Sequence, residues 1–149
     1  MTKQVEELMY DMSLRVRLYR VSKGLGERPA ELSEREALLL ELIGLKDSVS
    51  ISEIVKLYAK VSPSTISTSI TRLWREKKLV EKTVDPDNQR LTMVSLTEKG
   101  KAALEEIIRA RAKLYRAVTE SLGIVQEENG LFRTAMKNGA RYFDRILAL

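Results

Sequence analysis

Between Ser62 and Thr71, seven of ten residues carry a hydroxyl: Ser62, Ser64, Thr65, Ser67, Thr68, Ser69 and Thr71. Short hydroxyls donate to phosphate oxygens and base edges, let a backbone approach a groove closely, and in threonine present a methyl suited to thymine. They are also mediocre helix formers, costing roughly 0.5 kcal/mol per residue against alanine because they compete for backbone groups. Cations follow directly: Arg72, Arg75, Lys77, Lys78 and Lys82, against only Glu76 and Glu81. One more arginine, Arg90, closes the polar stretch Asp85-Pro86-Asp87-Asn88-Gln89-Arg90. Such a set can recognise double-stranded DNA. Ser62, Ser64, Thr65, Ser67 and Thr68 would face the groove, and Arg72 and Arg75 would neutralise phosphates at its edge. Arg90 would reach an adjacent minor groove, where narrow A·T tracts concentrate negative potential.

Each feature has a plainer explanation. The hydroxyl run could be a linker, the cationic cluster a solvated helix face, and Arg90 a solvated turn residue. A linker, however, lacks two things this segment has. Ser62-Pro63 is a cap followed by proline at the first helical position, and Ile66, Ile70 and Leu73 form an apolar stripe.

Other chemistry is closed off by composition. The 149 residues contain no cysteine and no histidine. Disulfides, thiolate catalysis, Fe–S clusters and thiol sensing are thereby excluded, and the commonest general base and metal ligand are missing. There is no Ser-x-x-Lys and no Gly-x-x-x-x-Gly-Lys, and Gly24-Leu25-Gly26 lacks the third glycine of a dinucleotide loop. Asp85, Asp87 and Asn88 faintly suggest a calcium loop, but Arg90 stands where glycine is required and Leu96 where glutamate is. Neither an enzyme nor a cofactor or metal is expected.

The chain is long enough for one domain with extensions, and at 44% apolar and 32% charged it should fold. Its formal charge is +5; residues 1–48 carry a net −1, while 49–100 and 101–149 each carry +3. No apolar run approaches the ~18 residues of a membrane span, and MTKQVEELMYDM lacks the layout of a signal peptide. A cytoplasmic protein with no membrane partner is expected.

The elements that must hold these residues are helical, with one exception. Val5, Leu8, Met9, Met12, Val16 and Tyr19 predict a helix over residues 3–22, broken by Gly24, Gly26 and Pro29. Capping boxes at Ser33–Glu36 and Ser50–Glu53 open two more. In the first of these, Leu38, Leu39, Leu42 and Ile43 suggest deep burial, and Gly44 and Asp47-Ser48 mark its end. The second presents Ile54, Leu57, Tyr58 and Val61. A fourth helix runs from Pro63 to about Lys78. The period then drops to two over Leu79–Val84 and Leu91–Leu96, a β-hairpin whose tip is 85–90. Long helices are expected from Thr97 to about Ser121 and from Glu127 to Leu147. The fold class is mostly α with a small β-hairpin wing: a winged helix-turn-helix between terminal helices.

From Glu53 to Gly100 the sequence resembles the winged-helix core of the multiple-antibiotic-resistance regulator (MarR) family of transcription factors. The residues that carry the resemblance are Leu79-Val80-Glu81-Lys82, the wing Asp85–Arg90, and Val94-Ser95-Leu96-Thr97-Glu98-Lys99-Gly100. The flanking helices extend it over the whole chain, 1–149. The resemblance implies a DNA-binding lobe over 32–98 and a dimerisation lobe from 1–31 and 99–149. It further implies a homodimer reading a pseudo-palindromic operator, acting as a repressor and released by an effector. Three departures stand out. Lys78 occupies the place of a usual glycine. Asn88 and Gln89 replace an Asp and an Arg, removing an ion pair within the wing and leaving Arg90 to contact DNA. The helix-turn-helix is about one residue longer than the family pattern and has no glycine in its turn.

The terminal stripes argue for a dimer independently of any family, since Val5, Leu8, Met12, Phe132, Met136, Phe143, Ile146 and Leu147 need a partner. Packing onto the chain's own core is the alternative. Tyr10, Arg15, Arg17, Tyr19 and Arg20 could meet a small aromatic or anionic effector, or else form surface or dimer salt bridges. The competing function is a winged-helix protein-interaction module, a dimer or antirepressor that no longer binds DNA. The altered wing at Asn88 and Gln89 is its motive.

Overall fold

The computed structural model describes residues 4–25, 29, 31–124 and 130–149. The elements run α1 (Val5–Ser22), α2 (Glu34–Lys46), β1 (Ser48–Ser50), α3 (Ile51–Leu57), α4 (Pro63–Thr71), β2 (Val80–Val84), β3 (Thr92–Leu96), α5 (Glu98–Ser121) and α6 (Gly130–Leu147), with a π-helical turn at Arg72–Glu76 between α4 and β2. The expected break at Gly26, the start of the first helix at Lys3 and the start of the last at Glu127 lie outside the described residues.

Hydroxyl caps set the starts of α2, α3, α4 and α5. Ser33 Oγ accepts the Glu36 N–H at 3.1 Å while the Glu36 carboxylate accepts the Ser33 N–H at 3.2 Å. The same reciprocal pair forms between Ser50 and Glu53 at 3.1 and 3.3 Å. Ser62 caps α4 through the Thr65 N–H, with Pro63 at the first helical position, and Thr97 caps α5 through the Gly100 N–H. Each cap satisfies a donor that the helix itself leaves open.

The core lies where α2, α3, α4, the sheet and the first half of α5 meet. Leu39, Leu40 and Ile43 of α2 pack with Ile54, Ile66, Ile70, Leu73, Val94 and Ile107, all fully buried. Leu38 is 52% exposed, contrary to the expected deep burial, and Leu40 takes the inward place. Its neighbours Leu39 and Ile43 already point to the core, and a helix turns Leu38 away from them.

The hairpin is one side of a three-stranded antiparallel sheet in the order β1-β3-β2. The third strand, Ser48–Ser50, was not anticipated. It pairs Val49 with Val94, both buried. Three residues are too few to show a period of two, so only the tertiary pairing defines this strand.

Between the π-turn and β2 the chain makes a tight corner. Lys78 has φ +56°, the left-handed region that glycine adopts freely and lysine does not. Leu79 N–H reaches Leu73 O at 2.8 Å, Thr97 Oγ1 donates to Lys78 O at 2.8 Å, and Thr97 N–H donates to Leu79 O at 3.0 Å. Gly100 completes the corner. A Cβ there would lie 2.0 Å from Leu79 O, so only glycine lets α5 approach. The Leu-Thr-Glu-Lys-Gly signature is thus a clamp that joins β3 and α5 to the root of the wing.

No residue of α1 is buried, and none of α6. Val5, Met136, Phe143 and Ile146 are between 58% and 68% exposed. Among the described residues the α6 stripe stays exposed, whereas Met12 and Val16 of α1 are half-buried beside Leu114 of α5.

Candidate nucleic-acid interface

The helix-turn-helix is α3, a turn at 58–62, and α4. Ile66 and Ile70 seat α4 on the core and are fully buried. The opposite side faces solvent: Ser62, Ser64, Ser67 and Thr68 are exposed, as are Arg72 and Arg75 in the π-turn. Thr65 is half-buried. Its hydroxyl lies 2.7 Å from Ser62 Oγ, which also stands 3.2 Å from Ser64 Oγ, so three side chains share the cap of α4.

Two further hydroxyls turn back onto the helix. Thr68 Oγ1 donates to Ser64 O at 2.9 Å and Ser69 Oγ to Thr65 O at 3.1 Å. Back-bonding of this kind lets serine and threonine sit inside a helix with their polar groups satisfied. It also occupies their protons, leaving oxygen lone pairs and, in Thr68, the methyl available outward. Ser67 makes no such bond.

The helix then widens. Lys77 N–H bonds to Arg72 O at 3.0 Å, the five-residue spacing of a π-turn. A π-turn takes up one residue more than an α-turn, as the expected one-residue excess in this motif would require. The helix expected to run evenly to Lys78 is therefore α4 followed by this turn.

At the wing tip, Asp85 Oδ1 accepts the Asp87 N–H at 2.9 Å and Asn88 Oδ1 accepts the Arg90 N–H at 3.1 Å. Two successive side-chain turns close the tip without an ion pair, and Asn88 holds the backbone of Arg90 directly. Arg90 itself is exposed.

Trp74, Lys77 and Glu36 also help to set this surface, in roles that the sequence does not assign to them. Trp74 of the π-turn carries Arg75 at 4.8 Å and Lys82 at 4.5 Å from its ring centroid. Lys77 Nζ donates to Glu31 O at 2.7 Å and to Glu36 Oε2 at 2.5 Å, tying the end of the π-turn to the head of α2. Burial alone would raise the Glu36 carboxyl; Lys77 and the Ser33 bonds outweigh it and hold the group below its usual value. A lone tryptophan and a lysine in a charge run carry no signal that separates them from core or solvated residues.

Away from this surface, α1 and α5 enclose a cleft of about 560 Å³ lined by Met12, Arg15, Val16, Tyr19, Leu114, Ala117, Val118, Glu120 and Ser121. Of the five side chains considered for an effector, Arg15 and Tyr19 line it. Tyr10 instead lies in a hollow with Glu6, Glu7 and Asp11. Among the described residues no group of three or more His, Cys, Asp or Glu could hold a metal ion, and no helix is long and apolar enough to cross a membrane.

Residues 32–100 match the winged helix DNA-binding domain family. No curated protein sequence matches the chain. Among solved structures, wild-type MarR of Escherichia coli in its apo form is 17% identical with a TM-score of 0.59, covering 93% of this chain and 97% of that one. FabT of Streptococcus pneumoniae, solved in complex with DNA, is 22% identical at a TM-score of 0.57, covering 95% of each chain. BpsR of Bordetella bronchiseptica, whose DNA binding is regulated by 6-hydroxynicotinic acid, is 22% identical at 0.56, covering 95% of this chain and 94% of that one. The resemblance seen in the sequence is borne out by these neighbours at the level of the fold. The chain therefore has the fold of these structures, and its residues 32–100 are similar to the winged helix DNA-binding domain family.

Proposed function

We propose that this chain is a MarR-type transcription regulator that binds duplex DNA as a homodimer, with α4 in the major groove and the wing against an adjacent minor groove. One observation carries the reading. The hydroxyl-bearing face of α4 is exposed opposite its buried stripe, with Arg72, Arg75 and Arg90 exposed beside it. Ser64, Ser67 and Thr68 read base edges, the Ser62–Thr65 cap meets phosphate, and the arginines neutralise the backbone. The exposed stripe of α6, and α1 without a buried residue, support pairing with a second copy, so that residues 1–31 and 99–149 form the dimerisation lobe and 32–98 the DNA-binding lobe. Two-fold pairing requires a pseudo-palindromic site with half-sites about 34 Å apart, one turn of DNA.

Repression released by a small molecule is the mode this architecture suits. BpsR offers the precedent of a small aromatic acid, and the α1–α5 cleft combines apolar walls with Arg15 and Tyr19. The alternative, an interaction module that no longer binds DNA, drew on the altered wing. Asn88 weakens that motive, since it closes the turn that presents Arg90. Selection of bound fragments from a random duplex pool tests the proposal. It should return a two-fold-related motif with half-sites one helical turn apart; a pool that yields no enriched motif would remove the sequence-reading role.

A further inference from the structure

Trp74 brings together two cations from different elements. Arg75 belongs to the π-turn that continues α4, and Lys82 to strand β2 of the wing; their charged groups lie 4.8 and 4.5 Å from the same ring centroid. Lys82 stands opposite Val94 in the ladder and on the same face of β2 as buried Val80, so it points to the inner side of the wing and is itself half-buried. An inward-facing lysine is costly unless something seats it, and the indole ring does so through its negative face. Neither Arg75 nor Lys82 pairs with a carboxylate among the described residues. Two like charges gathered at one ring with no local counterion repel each other, and an external polyanion relieves that repulsion.

We infer that Trp74 is a positioning residue whose ring fixes Lys82 of the wing beside Arg75 of the recognition segment, making Lys82 a further contact to the DNA phosphate backbone in the angle between α4 and the wing. The inference rests on the DNA-binding reading and adds to it a residue from the wing's inner face. Because the ring is shared, the two cations act as a unit: the wing cannot swing away from the recognition helix without giving up a contact to Trp74. The simpler alternative is that the lysine and arginine stems merely cover an exposed ring, as long side chains often do.

The experiment measures binding of a fluorescent mixed-sequence duplex across a salt series for the full chain and for Lys82→Gln, Trp74→Leu, Trp74→Phe and the pairwise combinations of the Trp74 variants with Lys82→Gln. Lys82→Gln should weaken binding about fivefold and reduce the logarithmic salt slope by about 0.9, the value of one phosphate contact. Trp74→Leu should lower the slope too, Trp74→Phe should recover much of it, and Lys82→Gln should have a smaller effect in the Trp74→Leu background than in the wild type. If Trp74→Leu does not fold, as judged by its thermal transition, the salt slope of Lys82→Gln alone decides. An unchanged slope in Lys82→Gln, or equal effects of Lys82→Gln in both backgrounds, overturns the inference while leaving DNA binding intact. A wild type with no salt-dependent duplex binding overturns both.

Discussion

Lys77 reaches from the end of the π-turn to the carboxylate of Glu36 at the head of α2, 2.5 Å away, while the same carboxylate caps α2 through the Ser33 N–H. One ion pair thus fixes the end of the π-turn that follows α4 to the helix that enters the core. Glu36 is buried and Lys77 mostly so, which places the pair between an exposed bridge worth little and a fully buried one. Glu36→Gln should lower stability by about 2 kcal/mol at neutral pH, read by urea unfolding. The folded carboxyl titrates below the unfolded one. Its contribution is therefore complete above the ordinary glutamate value of 4.5 and is lost as the pH falls through the folded value. Wild type and Glu36→Gln should converge in stability under acid; an equal gap at both pH values would contradict this.

Lys78 is strained where glycine would not be. At φ +56° an exposed lysine keeps a left-handed backbone that glycine adopts freely. Lys78→Gly should stabilise the chain by about 0.5–1 kcal/mol, less any entropy gained by the unfolded chain. Calorimetry detects this as a higher Tm.

Gly100 is the opposite case. An alanine methyl would meet Leu79 O at 2.0 Å, and the obstacle is backbone rather than a flexible side chain. Gly100→Ala should cost more than about 2 kcal/mol and loosen the wing, visible as faster amide exchange at Val80 and Leu96. Unaltered protection there would show that α5 does not clamp the wing.

Groove-facing hydroxyls and backbone-facing cations should separate in binding assays. Ser67→Ala and Thr68→Ala should weaken the selected site more than a random duplex, by about 1 kcal/mol each. Arg75→Ala should weaken both alike, and Arg90→Ala should reduce the salt slope by about one unit. Equal losses on both duplexes for every variant would strip α4 of base reading.

The exposed stripe of α6 sets a test of assembly. Light scattering should give twice the chain mass, and Phe143→Glu together with Ile146→Glu should give the monomer, with at least tenfold weaker duplex binding. A monomeric wild type would instead leave these stripes for another partner.

Much of this arrangement is legible in the sequence because local physics dictates it. Ser33, Ser50, Ser62 and Thr97 each precede a helix by the spacing a cap requires, and all four cap. The hairpin shows its period of two over enough residues to be read. Strand β1 does not, because its pairing with β3 is a tertiary fact. The π-turn is equally hidden: Arg72-Leu73-Trp74-Arg75-Glu76 has ordinary helical residues, and only the Lys77 N–H to Arg72 O bond of the folded chain shows where the helix widens. The candidate site was legible as a set of residue types. Which hydroxyls point outward was not, since Thr65 joins a cap and Thr68 bonds back to Ser64 through contacts that depend on rotamers. The Trp74–Lys82 contact spans two elements and needs the fold itself.

The central claim is that α4 and the wing together grip a DNA duplex. Titration of the wild-type chain onto duplex DNA from low to moderate salt tests it most directly. A Kd that rises steeply with salt, with a logarithmic slope of several units, is the predicted result. Flat salt dependence, or no binding even at low salt, would contradict it.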